Sequence, residues 1–260
     1  MSKVITDKKG AVAHVILSNV AKMNAMTLDM WQALPVALEG FDQDPEVRVI
    51  VVTGDGDKAF ISGADISQFD KLRSTDEAQA EYNTAVNKAY MAPILCSKPV
   101  VAQIRGYCFG GGLGFAASCD VRICGDDAQF RMPAARLGLG YDPRGVKRFM
   151  DILGAANTAD IFFSARRFDA RDALRMGFVS QVHPVADLAL RTLEYVQMIS
   201  ENAPLTMAAA KFAIRQGLQV ESEQQLELAR EMVKECFTSE DYKEGRKAFA
   251  EKRVPNFKGV

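Results

Sequence analysis

The chain has 260 residues, 48% of them hydrophobic and 25% charged, with 32 Lys and Arg against 33 Asp and Glu for a net charge of -1. That apolar content is ample for a buried core and excludes a disordered chain. The balanced charge supplies no global field for nucleic acid or an anionic membrane, so a small-molecule partner is expected. The first residues, Met1-Ser2-Lys3-Val4-Ile5-Thr6-Asp7, carry no apolar targeting stretch, and no apolar run approaches the roughly 18 residues of a membrane helix. A cytoplasmic protein is expected. Five cysteines, at 96, 108, 119, 124 and 236, form no Cys-x-x-Cys pair and indicate neither a disulfide framework nor a metal site.

In chain order, residues 11–17 read as a strand, and Thr27 as the cap of a helix whose apolar face uses Leu28, Trp31, Leu34, Leu38 and Phe41, with Pro35 implying a kink. Residues 47–54 are a nearly continuous apolar strand, of the kind covered on both faces. Ser74-Thr75-Asp76-Glu77 fits a capping box for a long helix to about residue 95. Residues 98–105 read as another buried strand, followed by a glycine turn and a short helix, then strands at 121–124 and 128–130. Two helices follow on either side of Gly154, then one from Asp169 to Gly177, a strand at 178–183, and helices from Asp187 onward with Pro204 in a first turn. The alternation points to an α/β core over residues 1–190, with a C-terminal helical region over 191–260 that packs on the core or on another subunit.

Two segments carry chemistry. Phe60-Ile61-Ser62-Gly63-Ala64-Asp65-Ile66 and Gly106-Tyr107-Cys108-Phe109-Gly110-Gly111-Gly112-Leu113-Gly114 each follow a β-branched strand and precede a helix. Glycines accept φ > 0 and close backbone approach. Gly111 then presents a helix N-terminal N–H with no intrahelical partner, and Ala64 supplies a second irregular peptide. Two amides aimed at one oxygen would stabilise the charge that develops on a thioester carbonyl. Taken alone, the glycines are equally compatible with simple tight packing.

With Asn24-Ala25-Met26-Thr27, Lys98-Pro99-Val100, Cys119-Asp120, the stretch from Phe168 to Gly177, and Asn256-Phe257-Lys258, these segments resemble the crotonase (enoyl-CoA hydratase/isomerase) superfamily over essentially the whole chain. The resemblance implies a spiral of ββα units, homotrimers or homohexamers, and acyl-CoA substrates whose thioester oxygen lies between Ala64 N–H and Gly111 N–H, with coenzyme A arriving as part of the substrate and no separate cofactor. It also implies a nucleotide site at Lys22, Asn24, Ala25 and Ile66, closed by Phe257 and Lys258 of the same chain or of a neighbouring subunit. The lysines are equally readable as ordinary solvated charge. An acyl wall of Phe69, Leu72, Tyr82, Phe109, Met132 and Leu139 is expected.

Hydratases of this superfamily place one glutamate two residues after the last glycine of the triplet and another directly after a proline. Here those places hold Gly114 and Ala134, which can neither activate water nor protonate carbon. Asp142 falls where dienoyl-CoA isomerases and 4-chlorobenzoyl-CoA dehalogenases of the superfamily carry a working aspartate, which makes it the candidate acid/base. It also reads as an N-cap before Pro143. Tyr141 matches the tyrosine of methylmalonyl-CoA decarboxylases, a reaction that needs no general base before C–C cleavage; Arg144 could attract the departing carboxylate. His14 and His183 read as core or edge residues, and Asp65 and Asp120 as holders of turns or caps. Two rival classes stay open: a dinucleotide oxidoreductase, disfavoured because the glycines do not follow Gly-x-Gly-x-x-Gly, and a non-catalytic CoA-binding homologue.

Overall fold

The computed structural model describes residues 2–68 and 75–260. The chain opens with an antiparallel pair, β1 (Lys3–Lys9) and β2 (Val12–Ser18). Helix α1 (Leu28–Gln43) follows, its first turn capped by the Thr27 hydroxyl accepting from Met30 N at 3.3 Å. The same unit then recurs three times: β3 (Val49–Gly54), β4 (Ala59–Ile61) and α2 (Asp76–Leu95); β5 (Val100–Ile104), β6 (Tyr107–Phe109) and α3 (Gly111–Ala116); β7 (Val121–Gly125), β8 (Gln129–Arg131) and α4 (Pro143–Ser164). After them come β9 (Arg167–Asp169), α5 (Ala170–Arg175), β10 (Gln181–His183), and the helices α6 (Leu188–Ser200), α7 (Pro204–Gly217), α8 (Leu226–Thr238) and α9 (Glu240–Glu251).

Each repeat gives its first strand to one sheet and its second to another. The larger sheet runs β1-β2-β3-β5-β7-β10, and the smaller runs β4-β6-β8-β9. The expected spiral of ββα units is thereby present, with mixed sheets: β1–β2 and β8–β9 are antiparallel and the other neighbours parallel. Strand β3 shows why its sequence is apolar throughout. Ile50 and Val52 face the main core with Trp31, Leu34, Phe60 and Phe115, whereas Val49 and Val51 pack beneath Leu188 and Val196 of α6. Each such side chain contributes about 1.5–3 kcal/mol of burial.

Several expectations need correction. Strands β1, β6 and β9 were not foreseen, because two of them are three residues long and β1 is largely exposed and polar. The turn after β5 does not lead directly into a helix: Gly106 (φ 59) bends the chain into the smaller sheet, and Gly110 (φ 52) bends it again into α3. A Cβ on Gly106 would collide with the Lys58 carbonyl, so the bend needs glycine. Helix α1 runs through Pro35, as expected, and ends at Gln43. In α2 the cap is Thr75, accepting from Ala78 N at 3.2 Å, while Ser74 of the expected capping box lies outside the described residues. The residue 190/191 boundary falls inside α6, whose buried side packs on the larger sheet. No helix among the described residues is long and apolar enough to cross a membrane.

Candidate active site

The parallel register of β4 and β6 brings the two glycine segments together. Ala59 pairs with Tyr107 and Ile61 with Cys108, and two residues further on Gly63 lies beside the Phe109 carbonyl, 3.8 Å from where its Cβ would be. Gly112 packs directly on Ile61, where a Cβ would strike that residue's backbone and side chain. Ala64 forms a parallel bridge with Met26, in which Met26 N donates to Gly63 O at 2.9 Å and Asp65 N donates to Met26 O at 2.9 Å. In a parallel bridge the central residue's own N–H points away from its partner. Ala64 N–H is therefore directed to the side opposite Met26. Gly111 is the first residue of α3, where the N–H has no intrahelical acceptor.

The side chains around Gly111 and Gly114 are aromatic. Tyr90 of α2 donates its hydroxyl to Gly111 O at 3.0 Å. Its hydroxyl and that of Tyr141 border the same space beside Gly114. A Cβ on Gly114 would sit 2.6 Å from the Tyr141 hydroxyl and 2.8 Å from that of Tyr90, and a Cβ on Gly145 would meet the Tyr141 ring at 2.5 Å. Two glycines thus make room for one tyrosine. Trp31 meets Tyr90 edge to face, with centroids 5.7 Å apart. Its Nε1 is buried without a hydrogen-bond partner. The Arg148 guanidinium lies 5.8 Å from the Tyr90 ring centroid, and among the described residues it makes no ion pair. Desolvation pushes the Tyr141 phenol up to about 12, although Arg148 and the Tyr90 hydroxyl oppose the shift. Desolvation also raises Tyr90 and lowers Arg148.

Asp142 caps α4: its Oδ1 accepts from Arg144 N at 2.9 Å and from Arg144 Nε at 3.3 Å. Its side chain is 57% exposed. The hydrogen bond from Arg144 holds its carboxyl below the usual range. Ala134 is buried in a 3-10 turn over Ala134–Leu137.

The residues expected at the nucleotide divide into two places. Lys22, half-exposed, bonds Asp65 at 2.8 Å and Ser67 Oγ at 2.7 Å, beside the Ala64 segment. Burial opposes ionisation of Asp65, but hydrogen bonds from Lys22 and Ser67 outweigh it and keep its carboxyl below the ordinary value. Asn24 (φ 55) is buried and acts as a clamp, accepting from Asn19 N at 3.0 Å and donating to Asp55 O and Ala59 O at 2.8 and 2.7 Å. Ala25 N donates to Lys22 O, its carbonyl accepts from Asn19 Nδ2, and Ile66 opens the 3-10 turn Ile66–Gln68. Phe257 and Lys258 lie elsewhere in the chain. The Phe257 carbonyl accepts from Arg48 at 3.3 Å, its ring packs near Gly245, and Lys258 N donates to Asp241 at 2.7 Å.

Of the expected acyl wall, Phe69 and Leu72 lie outside the described residues; Tyr82 and Met132 are buried, and Leu139 is exposed. Asp120 holds Val100 N and Lys211 Nζ, both at 2.7 Å. His14 is half-buried with its pKa lowered by burial, and His183 bonds Gln181. Sequence reasoning missed Tyr90, Trp31 and Arg148. The stripe Tyr82, Ala85, Ala89, Pro93 on α2 marked the buried face that Tyr90 borders, but nothing in the sequence paired Tyr90 with a residue 51 positions later.

Two mixed sheets wound from ββα units, with amide-bearing glycine bends meeting at their edge, define a crotonase-type enzyme fold. The chain belongs to the enoyl-CoA hydratase/isomerase family, whose sequence pattern matches residues 7–260. It is 32% identical over 259 residues to a short-chain-enoyl-CoA hydratase of Clostridium acetobutylicum, covering 99% of this chain and 98% of that one. It is 34% identical over 256 residues to a carnitinyl-CoA dehydratase of Proteus mirabilis, covering 96% of each. Among solved structures, an enoyl-CoA hydratase/carnithine racemase of Magnetospirillum magneticum superposes with a TM-score of 0.93 at 30% identity, over 100% of this chain and 97% of that one.

Proposed function

We propose that this chain is an acyl-CoA enzyme that holds a thioester enolate between Ala64 N–H and Gly111 N–H, forms it by loss of CO2 from a malonyl-type acyl group, and protonates it from Tyr141. The observation that carries this reading is the volume beside Gly114. Two phenol hydroxyls occupy it, so the position from which a glutamate would act is filled by groups that stay protonated at neutral pH. A phenol raised to about 12 is a proton donor and not a base. A site with a donor and no base suits a reaction that generates its own carbanion.

In the proposed sequence the bond between the α-carbon and the carboxylate breaks. Its electron pair passes into the enolate, whose charge rests on the thioester oxygen between the two amides, and CO2 leaves. The α-carbon then takes the Tyr141 proton, which is restored from solvent. Among the described residues Arg148 has no ion pair and Trp31 Nε1 no hydrogen-bond partner, so this wall carries donors that favour an acyl group with a negative end.

Lys22, Asn24, Ala25 and Ile66 are proposed to hold coenzyme A by side chain or backbone; Lys22, half-exposed beside the Ala64 segment, is the residue best placed for this. Phe257 and Lys258 are proposed to act from a neighbouring subunit, because within one chain they are held on the start of α9 and on Arg48. This agrees with a homotrimer or homohexamer built through the C-terminal helices. A groove of about 680 Å³ there is lined by Leu205, Ala209, Phe237, Phe249 and Phe257, an apolar surface suited to a second copy.

A second reading is supported by the exposure of Asp142, whose free oxygen could exchange a proton at the acyl chain in a hydratase or isomerase reaction. A mass-spectrometric screen of malonyl-, methylmalonyl-, enoyl- and dienoyl-CoA in D2O separates the two. CO2 release with one deuterium at the α-carbon is expected. Hydration or double-bond migration that Asp142→Asn abolishes would replace the first reading with the second.

A further inference from the structure

Tyr90 joins the two halves of the site. Its hydroxyl donates to Gly111 O, and it shares with the Tyr141 hydroxyl the space beside Gly114, where a Cβ would stand 2.8 and 2.6 Å from the two oxygens. The first turn of α3 needs such a tether. Gly110, Gly111, Gly112 and Gly114 fall within five residues, and glycine is the poorest helix former after proline, costing roughly 1 kcal/mol per residue relative to alanine. The Trp31 ring edge also supports the turn, 3.2 Å from where a Gly111 Cβ would stand. Tyr90 itself is fixed by its place in α2, by the edge-to-face contact with Trp31 and by Arg148 over its ring.

Resting on the enolate reading given above, we propose that Tyr90 is a positioning residue: by holding the Gly111 carbonyl it fixes the first turn of α3, so that the Gly111 N–H of the adjoining peptide keeps the orientation that receives the thioester oxygen. Tyr90 touches no reacting atom. Its hydroxyl has a single proton, committed to Gly111 O.

The test uses acetoacetyl-CoA, a thioester whose conjugated enolate absorbs in the near ultraviolet, titrated with the full-length protein as a function of pH. Bound to the wild-type protein, the probe should ionise at lower pH than in solution, because the two amides stabilise its enolate. In Tyr90→Phe, which keeps the ring and removes only the hydroxyl, the bound enolate should be about tenfold less favoured, one pKa unit. Affinity for free coenzyme A should stay within about twofold, which separates mispositioning from misfolding. Replacing Tyr90 with 4-aminophenylalanine, which keeps a donor, should recover part of the shift, and this second variant serves if Tyr90→Phe is unstable.

Equal shifts in wild-type and Tyr90→Phe proteins would overturn the positioning role while leaving the amide pair intact. No shift in either protein would overturn both. A loss in Tyr90→Phe that 4-aminophenylalanine leaves unrepaired would assign Tyr90 to packing and also count against the proposal.

Discussion

The Ala64 and Gly111 side of the site and the Gly114 and Tyr141 side are built on opposite principles. On the first, the chemistry is proposed to come from backbone amides, and side chains matter only by their absence: Gly112 must admit Ile61, and Gly106 must admit the Lys58 carbonyl. On the second, the chemistry is proposed to come from side chains, and the backbone matters only by leaving room. Gly114 and Gly145 are open so that the Tyr141 ring can enter. A backbone device survives almost any change of reaction, because every thioester has the same carbonyl. The side-chain half is where one family fold acquires different reactions.

Substitutions on the two sides should therefore fail differently. The largest effect is expected for Gly111→Pro, which removes the first-turn N–H at a position where proline suits a helix start. Loss of one donor to a developing oxyanion should lower kcat by roughly 10²–10³-fold, measured on whichever thioester the substrate screen identifies. Tyr141→Phe should follow at about 10²-fold in kcat with KM nearly unchanged, as for loss of a general acid. Its pH profile gives a second reading. Because burial raises the Tyr141 phenol to about 12, the proton it donates is fully present below the unfolded value near 10 and is lost only as pH rises towards 12. The wild-type kcat should accordingly stay flat from about pH 7 to 9, and an alkaline limb starting well below 10 would exclude Tyr141 as the donor.

Returning the missing glutamate should show that the two sides cannot be exchanged one residue at a time. Gly114→Glu forces its side chain against the Tyr141 and Tyr90 hydroxyls and should cost roughly 1–3 kcal/mol of stability, as overpacking does. Adding Tyr141→Ala should recover part of that cost. A thermal-unfolding double-mutant cycle would read the coupling, expected in the range 0.5–3 kcal/mol for residues in contact. The smallest effect is expected for Asp142→Ala, which removes a cap. It should cost about 1 kcal/mol of stability and change kcat by less than about threefold, whereas a loss near 10²-fold would restore Asp142 as the acid/base.

The same division explains what could be read from the sequence. The glycine bends were legible because positive φ and close approach demand glycine, and Gly63, Gly106 and Gly110 stand where the chain turns. The cap role of Asp142 was legible too, since Asp before Pro143 is a local signal, as was Thr27 at the start of α1. The aromatic wall was not. Tyr90 lies in the last turns of a long helix and Arg148 one turn into another, and only tertiary packing brings them to Tyr141. Strands β6 and β9 were missed because a three-residue segment is too short to show period-two alternation. Gly114 and Ala134 stood out as departures, but the physical reason for the first, a tyrosine in the vacated space, became visible only in three dimensions.

The most direct test of the backbone device is a crystal structure with a non-cleavable acyl-CoA analogue that keeps the thioester carbonyl. Its oxygen is predicted to lie about 2.7–3.1 Å from both Ala64 N and Gly111 N, with the acyl group ending against Tyr141. A carbonyl oxygen bonded elsewhere, or either amide turned away from it, would contradict the account whatever reaction the enzyme proves to catalyse.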